Sequence, residues 1–370
     1  MRKTFRYRLY PTKAQTEMLE RQLGLCCELY NAAIQERRDA WRINHVSIGF
    51  NAQSAQLPEI KAERPEVEGV YSQVLQDVLH RVDKNFKAFF TRIKQGLKAG
   101  FPRFRSAARY DSLTYPQLGF VVEERHLKLS KIGRIKIKLH RPIEGKIKTL
   151  TLKREADKWY ACFSVECETK PLPESPEAIG IDVGLSFFAT LSNGTEIENP
   201  RYYRKAQATL RTEQRKVARR KKGSHRWRKA VKLLQTAHAH VRNQRADFHH
   251  QVARTIVNQY GLIVVEDLNV KGLAGGMLAK AINDAGWSAF INKLLSKAEE
   301  AGRVVVKVDP RGTSQTCLCG ASVPKTLSQR WHQCRSCGLF ARRDHVSAQL
   351  VLGRGLRLQA STWPVAACVA

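Results

Sequence analysis

Three carboxylates in this chain stand where apolar segments begin or end. Asp182 lies inside Ile179-Gly180-Ile181-Asp182-Val183-Gly184, Glu266 closes the run Leu262-Ile263-Val264-Val265, and Asp344 opens the helical stretch Asp344-His345-Val346-Ser347-Ala348. A carboxylate within an apolar strand is costly unless it is paired or binds a cation. Converging carboxylates can hold two divalent ions, one activating a water and the other stabilising the leaving oxygen of a phosphodiester. Such ions take hard oxygen ligands, which Asp and Glu supply. Each acid alone also has an ordinary reading. Asp344 would serve as a helix N-cap, Glu266 as a surface acid beside Asp267, and Asp182 as a turn residue. Spacing by itself does not bring the three together.

A second constellation is sulfur. Of the nine cysteines, Cys317, Cys319, Cys334 and Cys337 fall within one short segment. Clustered thiols in a reducing compartment favour zinc over disulfides. Four thiolates would make a closed tetrahedral site with a structural role, since no position is left open for a substrate. The first pair, Cys317-Leu318-Cys319, is one residue shorter than Cys-x-x-Cys, and His332 is the substitute ligand if that loop cannot present both sulfurs. Cys26, Cys27, Cys162, Cys167 and Cys368 have no ligand pattern and read as small apolar fillers.

The third feature is charge. Among 370 residues there are 64 Lys plus Arg against 33 Asp plus Glu, a net charge of +31. A polyanion with closely spaced phosphates is the natural partner of such an excess. The basic residues crowd between 201 and 232, including Arg215, Lys216, Arg219, Arg220, Lys221, Lys222, Arg226, Arg228 and Lys229, with Glu213 the lone acid among them. A one-sign run this dense repels itself unless a polyanion lies along it, and Trp227 within it offers a ring for stacking on bases. No apolar run approaches the roughly 20 residues of a membrane span, and residues 1–6 lack an apolar signal region. The expectation is a soluble cytoplasmic protein without a membrane partner.

The elements that must position these groups follow from periodicity. Residues 2–10 alternate basic and apolar side chains, as a strand does. Thr12 and Gln15 have capping-box spacing and open a helix with Met18, Leu19, Leu23, Cys26, Tyr30, Ala33 and Ile34 on its apolar face. A polar, Pro-interrupted stretch covers 44–69. A second helix runs from 70 to 93 with Val74, Val78, Val82, Phe86, Phe89 and Phe90 as its apolar stripe. From 103 to 170 the period becomes strand-like, a small antiparallel barrel or sheet that the N-terminal strand can join. Pro171-Leu172-Pro173-Glu174-Ser175-Pro176 is a linker. Beyond it come a strand hairpin at 178–192, a basic helical region at 201–259, a buried strand at 262–265, a helix at 284–301, a strand at 304–308 and a last helix at 344–356. Strands alternating with helices predict an α/β domain, with the cysteine segment inserted before its final helix.

Five segments occur in an order that makes them recognisable: Gly180-Ile181-Asp182-Val183-Gly184, Arg245-Ala246-Asp247-Phe248, Val264-Val265-Glu266-Asp267-Leu268-Asn269, Thr313-Ser314-Gln315-Thr316-Cys317 and the Asp344 segment. With the opening Phe5–Pro11 strand and Phe101-Pro102-Arg103-Phe104, the chain resembles the TnpB family along nearly its whole length. These are insertion-sequence-encoded, RNA-guided DNA endonucleases related to type V CRISPR effectors. The resemblance implies an α+β multidomain chain. An RNase H-like (RuvC) nuclease domain would span 178–308 and 338–360, with a zinc-ribbon insert at 309–337. A wedge-type β-barrel would take 1–10 and 103–170, a helical recognition lobe 11–102, a linker 171–177 and a tail 361–370. It also implies Asp182, Glu266 and Asp344 as catalytic acids holding two Mg²⁺ ions in the arrangement described above, with structural Zn²⁺ in the insert at Cys317, Cys319, Cys334 and Cys337. The partners would be a guide RNA from the transposon end and a target double-stranded DNA, gripped by its backbone while base pairing reads sequence. Tyr71, Ser72, Gln73 and the 101–105 stretch are candidates for reading the flanking motif.

Two positions depart from the family pattern. The last motif usually reads Asp-Arg-Asp-x-Asn-Ala, and here Arg342 replaces its first Asp and Val346 its Asn, while Asp344 is retained. Loss of the Asn weakens a contact that supports the metal site and keeps open a guided DNA-binding repressor that does not cut. A strand-transfer transposase built on His238-Ala239-His240 is disfavoured because that pair lies in the basic helical region. A basic zinc-ribbon RNA-binding protein would leave the three acids without purpose. Oligomeric state is not read from the sequence.

Overall fold

The computed structural model describes residues 1–326 and 328–362, in two compact units, 1–168 and 169–370. Most of the tail at 361–370, with Cys368, lies outside the described residues. In the first unit β1 (Arg2–Tyr10) leads into α1 (Lys13–Asn44), α2 (Phe50–Ala55), α3 (Leu57–Glu63) and α4 (Ser72–Lys94). The strands β2 (Ser112–Tyr115), β3 (Phe120–Val122), β4 (His126–Leu129), β5 (Gly133–Lys138), β6 (Lys146–Glu155) and β7 (Lys158–Glu166) follow. They form one seven-stranded antiparallel sheet in the order β2-β6-β7-β1-β5-β4-β3, with the N-terminal strand inside it. The alternation of β1 buries Phe5, Tyr7 and Leu9. Arg6 on the opposite face lies 3.7 Å from the Tyr160 ring centroid, a cation–π contact.

The capping box of α1 is complete: Thr12 accepts from the Gln15 backbone, and the Gln15 side chain accepts from the Thr12 backbone. The apolar stripe of α4 is buried from Val74 to Phe86, whereas Phe90 is exposed beside Phe86 and Phe89 near the helix end. The 44–69 stretch holds two short helices. Its hydrophilic composition hides them because Gln53 is a buried polar residue, donating to the Ala33 carbonyl and accepting from Arg37 at 2.8 Å.

The second unit is built on β8 (Ala178–Val183), β9 (Phe187–Leu191) and β10 (Glu196–Glu198), an antiparallel meander. Helices α5 (Tyr202–Ala218) and α6 (His225–Gln259) lead to β11 (Leu262–Glu266), which pairs parallel with β8. Helices α7 (Val270–Leu273), α8 (Ala279–Ala285) and α9 (Trp287–Ala301) precede β12 (Val304–Val308), parallel to β11. The sheet order is β10-β9-β8-β11-β12. A small ribbon of β13 (Trp331–Gln333) and β14 (Phe340–Arg342) then runs directly into α10 (Arg343–Thr362). The helix expected over 284–301 is broken at Gly286, whose φ of +67° ends α8 and starts α9.

The unbroken apolar run of β11 reflects burial on both faces. Ile263 and Val265, with Ile179 and Ile181 of β8, join the core that includes Ile256 of α6 and Phe290 of α9. Leu262 and Val264 face the other way, with Val351 and Leu352 of α10. Gly180 belongs to that second face, since a side chain there would meet the Ala348 carbonyl oxygen at 2.2 Å. Gly355 makes the reciprocal approach, its missing Cβ lying 2.3 Å from a Val264 methyl. These two glycines let α10 lie directly on the centre of the sheet.

Candidate metal centre

The strand register brings two of the three acids side by side. Val264 is paired with Gly180 and Val265 with Ile181, so one step further Glu266 comes opposite Asp182. By the two-residue period of a strand, both continue the face that Gly180 and Val264 present to α10. Asp344 is the second residue of α10, at the end where the helix leaves the ribbon. The ends of β8 and β11 and the first turn of α10 thus carry the three carboxylates, and Glu266 and Asp344 both lie near enough to act on Asp182.

Electrostatics register that convergence. Burial pushes the Asp182 carboxyl well above the usual carboxylate range, and the nearby Glu266 and Asp344 push it the same way, with Arg343 opposing. Burial also raises Glu266, against the Thr313 hydrogen bond and the charge of Arg354. Like charges gathered in a partly desolvated site disfavour their own ionisation, and a divalent cation removes that conflict. The donor set, three carboxylates of which burial holds Asp182 and Glu266 above the usual range, fits a hard metal ion.

Around the acids the structure adds groups that sequence reading left unassigned. The Thr313 hydroxyl donates to a Glu266 carboxylate oxygen at 2.6 Å and is itself buried. It belongs to the Thr313–Cys317 segment, a recurring motif whose first residue was readable as a motif but not as a partner of Glu266. Arg343 pairs with its neighbour Asp344, Nη2 lying 2.9 Å from Oδ1. His345 Nε2 stands 3.1 Å from the Ser192 carbonyl and pins the start of α10 to the turn after β9. Val346 is buried. Arg342 is ion-paired with Glu196 of β10 and lies over the Phe187 ring.

The cysteine insert is compact. The sulfurs of Cys317, Cys319, Cys334 and Cys337 all lie within 4.8 Å of one another, the one such donor group found among the described residues. Cys317 and Cys337 are 3.6 Å apart and Cys319 and Cys334 3.7 Å. The shortened first pair thus still presents both sulfurs. The Cys334 thiol is pulled down to about 6, first by the backbone N–H of Cys337 and also by that of Ser336, which favours the thiolate that a soft metal needs. His332 is buried with its Nδ1 engaged by Lys325, and it is not among the residues whose donor atoms gather at the four sulfurs.

The basic run occupies the end of α5, a turn and the start of α6. Ser224 caps α6 by accepting from the Trp227 backbone at 3.1 Å. Arg215, Lys216, Arg219, Lys221, Lys222, Arg226, Arg228 and Lys229 are exposed, while Arg220 and Trp227 are half-buried. Arg220 donates to the Arg226 carbonyl at 2.9 Å and closes the turn. At its other end α5 is capped from a distance by buried Asp284, which accepts from the Tyr203 and Arg204 backbones at 2.8 and 3.1 Å. His238 and His240 are exposed on α6.

A family profile described as "Probable transposase" matches residues 162–276, one described as "Cas12f1-like, TNB domain" matches 287–351, and one described as "Helix-turn-helix domain" matches 1–45. A Streptomyces pristinaespiralis protein named as an RNA-guided DNA endonuclease is 32% identical, the alignment covering 97% of this chain and 91% of the relative. The Escherichia coli K12 protein named as RNA-guided DNA endonuclease InsQ is 29% identical, over 95% of this chain and 92% of its own length. A Sulfoacidibacillus thermotolerans protein named CRISPR-associated endodeoxyribonuclease Cas12f1 is 28% identical over 52% of this chain and 49% of its own. The chain belongs to the TnpB family, as the order of its five motifs implied. No helix among the described residues is long and apolar enough to cross a membrane.

Proposed function

We propose that this chain is the RNA-guided, divalent-metal-dependent DNA endonuclease of a transposable element, with Asp182, Glu266 and Asp344 as its metal ligands. The observation that carries the reading is the register that sets Glu266 beside Asp182, together with the push that Glu266 and Asp344 exert on the buried Asp182 carboxyl. The sheet order, three antiparallel strands followed by two parallel ones, supports an RNase H-like (RuvC) core over 178–308 and 338–360. The antiparallel sheet of β1–β7 supports the wedge-type assignment for 1–10 and 103–170, and α1–α4 the helical lobe over 11–102.

These three acids would hold two divalent ions such as Mg²⁺, which when bound would supply an activated water and a counter-charge for the leaving oxygen. The chain's own part is positional. Thr313 fixes the Glu266 carboxylate through one oxygen, and the packing of α10 on Gly180 fixes the distance of Asp344 from the sheet. In the insert, Cys317, Cys319, Cys334 and Cys337 would hold one structural Zn²⁺. The exposed cations from Arg215 to Lys229 would track the phosphates of guide RNA or target strand, with Trp227 available for stacking at the rim.

A second reading, guided binding without cleavage, is favoured by Val346, an apolar residue where the family usually has Asn. The retained three acids weigh against it. The test is a plasmid library carrying a guide match beside randomised bases, incubated with the protein and RNA transcribed from its flanking DNA. Guide-dependent, EDTA-sensitive cutting at a fixed flanking motif is the expected result. Retention of matched DNA without cutting would sink the endonuclease reading in favour of the binder.

A further inference from the structure

Arg343 is held at three points. Its backbone N–H donates to the Arg330 carbonyl at 2.9 Å, and its Nη1 donates to the Gln329 carbonyl at 3.1 Å. Both carbonyls belong to the cysteine insert. The same guanidinium places Nε at 3.0 Å and Nη2 at 2.9 Å from one oxygen of Asp344. The side chain is largely buried, so this contact is poorly screened by water. A cation thus already sits on one of the three acids, put there by the insert.

We propose that Arg343 is the resident counter-ion of the carboxylate centre, which a divalent ion must either displace from Asp344 or bind against, so that the insert sets the metal concentration the site requires. The proposal rests on the three acids being the metal ligands. Its logic is competition. Oδ1 of Asp344 is taken by two N–H groups, and a divalent ion bound directly to that oxygen would stand within a few ångströms of the guanidinium. Either the arginine swings away, breaking its contact with Gln329, or the ion binds against its charge. Both routes weaken metal binding relative to a site without the arginine. In return the acids are partly neutralised before metal arrives, which limits their repulsion in the metal-free protein.

The experiment measures Mn²⁺ binding directly, by the loss of the free Mn²⁺ electron-spin-resonance signal, on the full-length protein with its guide RNA. Wild type is compared with R343Q, R343K and D344N. R343Q should bind Mn²⁺ about fivefold more tightly or better, the range expected for a coupling between two ligands of one site. R343K, which keeps the charge, should stay nearer the wild type, and the Mg²⁺ concentration for half-maximal cleavage should fall in R343Q in the same proportion. Equal or weaker binding by R343Q with an unchanged melting temperature would overturn the proposal, because the arginine would then build the site and not oppose the ion. If R343Q melts early, the uncharged, unbranched R343M carries the same comparison, and unchanged or weaker binding there is equally contrary. Tight binding that D344N leaves untouched would instead remove the acids as ligands and with them the reading on which the proposal rests.

Discussion

Asp182, the first of the proposed metal ligands, carries a cost in the metal-free chain. Its raised pKa means that the folded chain holds this proton more tightly than the unfolded chain does. The stabilising contribution of the neutral form is present below the ordinary value of 3.8 and is lost as pH rises through the higher folded value. Above the ordinary value and without divalent ions this acid therefore costs the fold stability, because the unfolded chain ionises it more readily than the folded one. D182N should raise the melting temperature of the metal-free protein at neutral pH, and the gain should shrink as pH falls toward the unfolded value. Added Mg²⁺ should stabilise the wild type and not the variant. Calorimetry across pH with and without Mg²⁺ reads this, and a D182N chain less stable than wild type at neutral pH would contradict it. Part of this site was legible in residues alone, because an acid inside Ile179–Val183 is conspicuous against its neighbours. Thr313 was not, since its 47-residue separation from Glu266 gives no local signal.

The elements position the acids through two close approaches. A methyl group at 180 would overlap the Ala348 carbonyl and the backbone of Leu352, and these cannot yield as the end of a flexible side chain would. G180A should lift α10 from β8, costing about 1–3 kcal/mol as overpacking does, and should reduce cleavage more than DNA binding because Asp344 rides on that helix. Comparing the melting temperature with the ratio of cut to bound DNA checks this; a variant that melts early yet cuts normally would detach Asp344 position from α10 packing. The strands and long helices were readable from their periods, and the α1 capping box from Thr12 and Gln15. The short helices α2 and α3 were hidden because buried Gln53 and Arg37 satisfy each other and mimic a polar loop. The ribbon that carries Cys334 extends to Arg342 and runs straight into α10, a coupling of insert to acid that spacing cannot display. The break at Gly286 was likewise missed, although the buried positions change face there, from Ile282 and Ala285 to Trp287 and Phe290.

At the scale of the molecule the excess of cations governs affinity. The net charge of +31 is not spread evenly, and the exposed run from Arg215 to Lys229 is its densest part. Changing Arg219 and Lys222 together to Ala should weaken nucleic-acid binding modestly and lower the slope of log affinity against log salt. Each lost phosphate contact should reduce that slope by about 0.7–0.9. An unchanged slope would place these cations away from the phosphates. The sequence made a polyanion partner legible through composition alone, whereas the division of contacts between RNA and DNA depends on surfaces that only a complex presents.

The central claim is that the three acids cut and do not merely hold. The most direct measurement compares wild type with D344A on one guide-matched DNA in Mg²⁺, scoring retained and cleaved DNA in the same reaction. D344A should retain the DNA at wild-type levels and leave it intact, while the wild type cleaves it. Cleavage by D344A at the wild-type rate would remove Asp344 from the metal centre and contradict the account.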